Sequence, residues 1–138
     1  MAASQNVPVV LETGDRNLIP VAATKRLFQG AMAFLDASGY ATPTPGATFL
    51  GHAAAEADNR TGLDGAKSAA LHYGRYCLQV AITGVALTDV GAPVYASDDN
   101  TYALVGTYQV GKVKRYVSAN LAVVEFTSPE IGADAGSV

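Results

Sequence analysis

Residues 91–126, GAPVYASDDNTYALVGTYQVGKVKRYVSANLAVVEF, decide the fold class of this chain. Short runs of β-favouring residues alternate here with turn residues, because Asp, Asn and Gly tolerate backbone conformations that other residues avoid. The pattern predicts strands over residues 93–96, 101–104, 108–116 and 121–126, with turns at 97–100 and 118–120. The stretch is therefore interpreted as two β-hairpins in succession.

An earlier stretch keeps the same order of glycine, strand, turn, strand and glycine. Residues 30–51, GAMAFLDASGYATPTPGATFLG, align with residues 91–111, GAPVYASDDNTYALVGTYQVG, with one residue of difference in length. The matched positions are Gly30 with Gly91, Phe34 with Tyr95, the 36–39 turn with the 97–100 turn, and Gly51 with Gly111. Two hairpins can resemble each other by chance, so both an internal repeat and a coincidence remain open.

The rest of the chain predicts further short strands. Extended or strand segments are expected over residues 7–12, 18–21, 31–35, 40–42, 47–53 and 76–82, the last from strict alternation of apolar residues. Residues 66–71 could form a short helix on propensity, but we expect a strand because residues 73–76 are typical of a hairpin reversal with Gly74 in the turn.

These elements predict an all-β fold, a compact antiparallel β-barrel or sandwich of about eight to eleven short strands with an extended N-terminal arm. The predicted organisation is an arm and first strand segment over residues 1–24, a β-domain over 25–127, and a flexible C-terminal tail over 128–138.

Composition limits the classes of partner. The chain has 138 residues, the size of one domain, and only 15% of them are charged, with a net charge of −3. Low charge suggests that partner subunits cover some apolar surface, while the acidic balance argues against nucleic acid as a partner. No apolar run approaches a membrane span and no secretory signal pattern is present, so we expect a protein made and kept in solution.

The sequence predicts no catalytic, cofactor-binding or metal site. His52 and His72 are the two histidines, without a ligand spacing typical of metal sites, and we expect surface or hydrogen-bonded histidines. The Asp98-Asp99-Asn100 run lacks the remaining positions of a calcium loop and indicates a solvated turn. Cys77 lies in a strand-like run and is expected to be a buried, inert thiol.

Two segments are candidates for contact with another protein. The first is the apolar, proline-bearing run Val7, Pro8, Val9, Val10 and Leu11, which could add a strand to an exposed edge of a partner. The same run could instead complete this protein's own sheet or that of a neighbouring subunit. The second candidate is the basic cluster Lys112, Lys114 and Arg115, interpreted either as a solvated strand face or as a docking site for an acidic partner.

Five stretches, taken in order, resemble the capsid cement or head decoration proteins of tailed bacteriophages. They are residues 30–39, 57–66, 90–101, 110–113 and 122–126, so that the resemblance covers about residues 25–127. It implies a mainly β, usually trimeric protein that binds the outside of the assembled shell where capsid subunits meet. It carries over no catalytic motif, and it leaves the first 24 residues and the acidic tail without an assigned role.

The leading hypothesis is therefore a structural virion protein, not an enzyme, that binds the outer surface of a phage capsid and stabilises it. Its expected partners are the major capsid protein and two further copies of itself, and its location is the capsid exterior after synthesis in the host bacterial cytoplasm. The alternative is a receptor- or glycan-binding head fibre or spike module on the virion, in which tyrosines such as Tyr40, Tyr73 and Tyr102 could stack on sugars.

Overall fold

The computed structural model describes residues 4–6, 16–128 and 130–131, and these residues form an all-β protein. Its elements are β1 (Arg16–Pro20), β2 (Arg26–Leu27), β3 (Met32–Leu35), β4 (Ala41–Thr42), β5 (Thr48–Ala53), β6 (Ala57–Asp58), β7 (Ser68–His72), β8 (Gly74–Ala81), a 3-10 helix (Leu87–Asp89), β9 (Pro93–Ala96), β10 (Tyr102–Ala103), β11 (Tyr108–Ser118), β12 (Leu121–Ser128) and β13 (Glu130–Ile131). The all-β prediction is confirmed. The described strands outnumber the expected eleven because several contain two residues.

A six-stranded and a five-stranded antiparallel sheet share one topology, apart from the extra strand β13, which pairs with β5 of the first sheet. The first sheet has the order β1-β7-β5-β3-β4, and the second has the order β8-β12-β11-β9-β10. In each, the residue after the first strand forms a parallel bridge to the strand at the other end of the sheet, Val21 to Ala41 of β4 in one sheet and Ile82 to Tyr102 of β10 in the other. We call residues 16–72 the first unit and residues 74–128 the second unit.

Hydrogen bonds outside the strands repeat between the units as well. The N–H of Gly30 donates to Ala53, and that of Gly91 donates to Val113. A side-chain oxygen of Asp64 accepts from Ala23 N–H at 2.7 Å, as that of Asn120 does from Gly84 N–H at 2.8 Å. Of the two readings left open for residues 30–51 and 91–111, the structure favours the internal repeat, and the shared strand order extends over nearly the whole described chain.

A β-bulge occupies the same place in both units. Between β3 and β5 the register shifts so that Leu50 is extra, and between β9 and β11 it shifts so that Val110 is extra. The next residue is glycine in each case, because a Cβ on Gly51 or Gly111 would collide with the carbonyl oxygen of His72 or Glu125 in the neighbouring strand. The repeated glycines in the sequence mark this close approach of two backbones.

Both faces of the first sheet carry buried apolar side chains. Ala33 and Leu50 face a core inside the first unit, which also contains Val21, Leu27, Ala41, Ala53, Ala57, Ala69 and Leu71. Met32, Phe34 and Phe49 face the opposite way and join the core of the second unit, with Ile82, Val85, Val94, Ala96, Tyr102, Val110, Val113, Ala122, Val124 and Phe126. The outer face of the first sheet therefore packs on the inner face of the second.

The first unit has a cover of its own for its inner face. Strand β2 pairs with β6, which brings Leu27 and Ala57 over this core. The buried amide nitrogen of Asn59 lies 2.9–3.1 Å from the carbonyl oxygens of Val21, Ala22 and Leu63 and fixes the loop there. In the second unit, only residues 119–120 join β11 to β12, whereas residues 54–67 join β5 to β7 in the first unit. The inner face of the second sheet is covered by the first unit instead.

Two expectations about chain path are wrong. Residues 73–76 do not form a hairpin reversal, because β7 pairs in the first sheet and β8 in the second; Gly74, with φ of +90°, turns the chain from one sheet to the other. The predicted loose tail also includes β13, which pairs with β5 through Glu130 opposite Phe49. The strand expected over residues 7–12, and with it the N-terminal arm, lies outside the described residues.

The substitution Gly51→Ala should destabilise the fold by about 3 kcal/mol, since it adds a strained backbone conformation to a steric collision. Gly51 has φ of +126° and lies against the His72 carbonyl, whereas Gly30 has φ of +85° and open space around its Cα. Gly30→Ala is the matched control and should cost about 1–2 kcal/mol for backbone conformation alone. Urea denaturation measures both values. Equal losses would contradict the role assigned to the bulge.

Candidate functional site

The outer face of the second sheet gathers the basic residues of this unit. Lys112, Lys114 and Arg115 are exposed on β11, and Arg75 is exposed on β8 at the other side of β12. We call this surface, formed by the outward residues of β8, β11 and β12, the basic face. The structure therefore brings together the three basic residues that the sequence singled out and adds Arg75, which the sequence analysis missed.

Local irregularity in β11 sets how these side chains are displayed. Lys112 lies opposite Glu125, and Arg115 lies opposite Val123, with a register shift between Val113 and Arg115. A bulge places an extra residue on one strand, so Lys114 and Arg115 are both exposed instead of one of them entering the core. The signal in the sequence is the break of strict alternation at Lys114-Arg115.

Cys77 lies on the basic face, which corrects the expectation of a buried thiol. Its Sγ is 3.7 Å from Nζ of Lys114, which reaches across β12 from the neighbouring strand. Tyr76, Leu78 and Val80 point inward from β8 and are half-buried, so the residues between them must face solvent. The alternation pattern predicted this outcome better than the general tendency of cysteine to be buried.

The charge on this face opposes that of the whole protein. Its outward side chains include four cations, Arg75, Lys112, Lys114 and Arg115, and one half-buried carboxylate, Glu125. The chain as a whole carries a net charge of −3. A positive surface on an acidic protein attracts an acidic partner to one side of the molecule and orients its approach.

Apart from the basic face, a polar cluster of His52, Tyr76 and Tyr102 lies between the two units. The Nδ1 and Nε2 atoms of His52 are each 2.8 Å from a tyrosine hydroxyl, of Tyr76 and Tyr102 respectively. A neutral imidazole has one N–H and one lone pair, so it donates to one hydroxyl and accepts from the other. Phe49 and Phe126 pack against the imidazole ring at centroid distances of 5.6 and 4.5 Å. The prediction of a hydrogen-bonded histidine is confirmed for His52.

Burial controls the protonation of this group. Burial, with a smaller effect of the neighbouring His72, lowers the pKa of His52 to about 4. Burial also raises the pKa of the Tyr76 and Tyr102 hydroxyls. All three side chains are thus neutral near pH 7, where they complete one another's hydrogen bonds at the junction of the two units. These hydrogen bonds join the first unit to the second.

The carboxylate of Asp98 accepts a 2.8 Å hydrogen bond from Asn100 N–H in an exposed turn, as predicted, and this bond lowers the pKa of Asp98. Tyr102 is buried, which is wrong for the sugar-stacking role considered for it, whereas Tyr73 is exposed and Tyr40 is half-buried. Among the described residues, no three His, Cys, Asp or Glu side chains lie close enough together to hold a metal ion.

The candidate contact run Val7, Pro8, Val9, Val10 and Leu11 lies outside the described residues. Searches with this chain matched no protein-family model, no curated protein and no solved structure. In the described part of the chain, no helix has the length and apolar character needed to cross a membrane.

The free energy of unfolding should fall as the pH is lowered from about 6.5 to 4. The pKa of His52 is lower in the folded state than in the unfolded state, so the unfolded state binds the extra proton in this window. The loss should be on the order of 3 kcal/mol. Denaturation curves at several pH values measure it.

His52→Gln keeps a donor and an acceptor but does not titrate, and it should flatten the pH dependence. His72→Gln is the control, because His72 is only half-buried beside the same cluster. An unchanged slope in His52→Gln would contradict the assignment.

Proposed function

We propose that this protein is a decoration protein that binds the outside of a bacteriophage capsid and stabilises the shell. The observation that carries the proposal is the basic face, an exposed sheet surface with four cations on an otherwise acidic protein. The resemblance of residues 25–127 to capsid cement proteins supplies the identity of the partner, the major capsid protein, and the location on the exterior of the virion.

The basic face suits a rigid contact with a large surface. Three neighbouring strands hold the backbone of Arg75, Lys112 and Arg115 in fixed register, so their charges stand at set spacings. A rigid surface loses little conformational entropy on binding. Association through such a face should weaken as salt is added, since exposed charges are screened. The surface of the capsid that contacts the basic face is expected to be acidic, because opposite charges attract.

The glycan-binding head fibre remains the second candidate function. One observation favours it: exposed Tyr73 lines an open groove of about 170 Å³ together with His72, Arg75, Tyr76, Cys77 and Leu78. Aromatic and charged side chains in a shallow groove are suited to stack on a sugar ring and bond its hydroxyls. Binding of labelled protein to a glycan array, without sedimentation with shells, would favour this candidate.

Charge reversal on the basic face should weaken binding to purified undecorated shells. In co-sedimentation, the double variant Lys112→Glu/Arg115→Glu should bind about tenfold or more weakly at low salt. Lys67→Glu is the control for a charge reversal away from the basic face, because Lys67 is also exposed but lies on the first unit. Lys67→Glu should bind like the unaltered protein. Equal binding by all three proteins would contradict a contact through the basic face.

The proposed assembly on the shell is a homotrimer, as the resemblance implies. Low charge and exposed apolar residues such as Leu18, Leu63, Leu87 and Val105 support contact with further copies. Light scattering of the free protein, and subunit counting on decorated shells, should give three copies in at least one of the two states. A monomer in both states would overturn this prediction.

A further inference from the structure

Strand β8 is an unprotected edge of the second sheet. Among the described residues it pairs on one side with β12, in unbroken register from Gly74 to Ala81, and no strand pairs with these eight residues on the other side, where β10 approaches only at the bridge from Ile82 to Tyr102. Such an edge offers a row of backbone donors and acceptors to any extended chain. Natural sheets usually shorten, bulge or charge their edges to prevent this.

The other described edges carry these protections. Strands β4 and β10 have two residues each, and β1 has five and ends in Pro20, whose nitrogen cannot donate. Beyond its pairing with β9, strand β11 exchanges hydrogen bonds with residues 91–92 through Val113 alone, and its remaining part carries Lys114, Arg115 and two register shifts. Strand β8 has eight residues, no proline, no bulge and one charged side chain, Arg75.

The side chains beside this edge leave room for a partner. Tyr76, Leu78 and Val80 point toward the core but are only half-buried. An open groove of about 390 Å³ runs beside the second half of β8, lined by Gly30, Leu78, Gln79, Val80, Ala81, Asn100 and Tyr102. The groove of about 170 Å³ beside the first half is the one that contains Tyr73. Apolar side chains of an added strand would fill these two grooves.

We propose that β8 accepts an extended segment of the capsid protein as an additional antiparallel or parallel strand. The outward residues of β8 belong to the basic face, with Arg75 on the strand itself and the Lys114 ammonium beside Cys77. The added segment is therefore one in which apolar residues, facing the grooves, alternate with acidic residues, facing the cations. Main-chain bonds supply affinity, and the alternating side chains supply selectivity.

The identity of the partner rests on the proposed function, but the strand-addition site is tested independently of it. The probe is the blocked peptide acetyl-Val-Glu-Val-Glu-Val-Glu-amide, with its lysine counterpart acetyl-Val-Lys-Val-Lys-Val-Lys-amide as control. Hydrogen exchange of the full-length protein should show amides of β8 slowed about tenfold or more by a saturating amount of the glutamate peptide, with β1 unaffected. No slowing of β8, or equal slowing by both peptides, would overturn the proposal.

A variant separates strand addition from simple charge attraction on shells. Val80→Lys places a lysine where the added strand must pack, a device that protects natural edges. Charge attraction alone predicts tighter binding of this variant to an acidic partner, whereas strand addition predicts binding weakened about tenfold. Leu18→Lys adds the same charge to β1, the equivalent strand of the first unit, and should bind normally. Unchanged or tighter binding by a folded Val80→Lys would overturn the proposal.

The remaining outcomes identify other occupants of the edge. If deletion of residues 2–12 speeds the exchange of β8 amides in the free protein, the chain's own N-terminal segment occupies the edge, against the proposal. Protection of β8 that rises with protein concentration would assign the edge to a second copy, also against it. If the glutamate peptide protects β8 while the protein fails to sediment with shells, the proposed function is wrong and the strand-addition site remains.

Discussion

The burial of one surface, the outer face of the first sheet, holds the molecule together. Met32, Phe34 and Phe49 on this face are fully buried, and each contributes about 2–3 kcal/mol by leaving water. That burial exists only while the second unit lies against them. His52 reinforces the dependence, because its two hydrogen bonds reach Tyr76 and Tyr102 in the second unit. The two units therefore stabilise each other and should unfold together.

The second unit does not carry the apolar outer face that the first unit carries. The positions of the second unit equivalent to Met32, Phe34, Phe49 and His52 are occupied by Pro93, Tyr95, Gln109 and Lys112. The two units share one strand topology, but these replacements change an apolar outer face into a polar and basic one. A third unit would have to bury Lys112 without a fixed partner, which is costly. Among the described residues, the outer face of the second sheet is therefore largely exposed, whereas the corresponding face of the first sheet is buried.

The sequence predicted local structure well and chain path less well. Turns such as 36–39 and 97–100 depend on nearby Asp, Asn and Gly residues, and the hairpins around them were predictable for this reason. The crossing of the chain from one sheet to the other at Gly74 was not predictable, because a glycine with positive φ is equally compatible with a hairpin turn and with such a crossing. Tyr102 was misjudged since its partner, His52, is distant in sequence. The two faces of β8 were predictable from alternation, but the free edge depends on which strands pair with which.

The net charge of the chain does not describe the charge of each of its surfaces, for a reason visible in the hydrogen bonds. Carboxylates in the loops are engaged locally: Asp36, Asp64, Asp89 and Asp98 accept bonds from backbone N–H groups. Glu56 and Asp58 form ion pairs with Arg26 and Arg60. These acidic groups shape turns and connections, whereas the cations of the basic face stand together on a flat sheet. An acidic protein can thus present a positive surface, because most of these carboxylates lie in loops while the cations lie together on one face of a sheet.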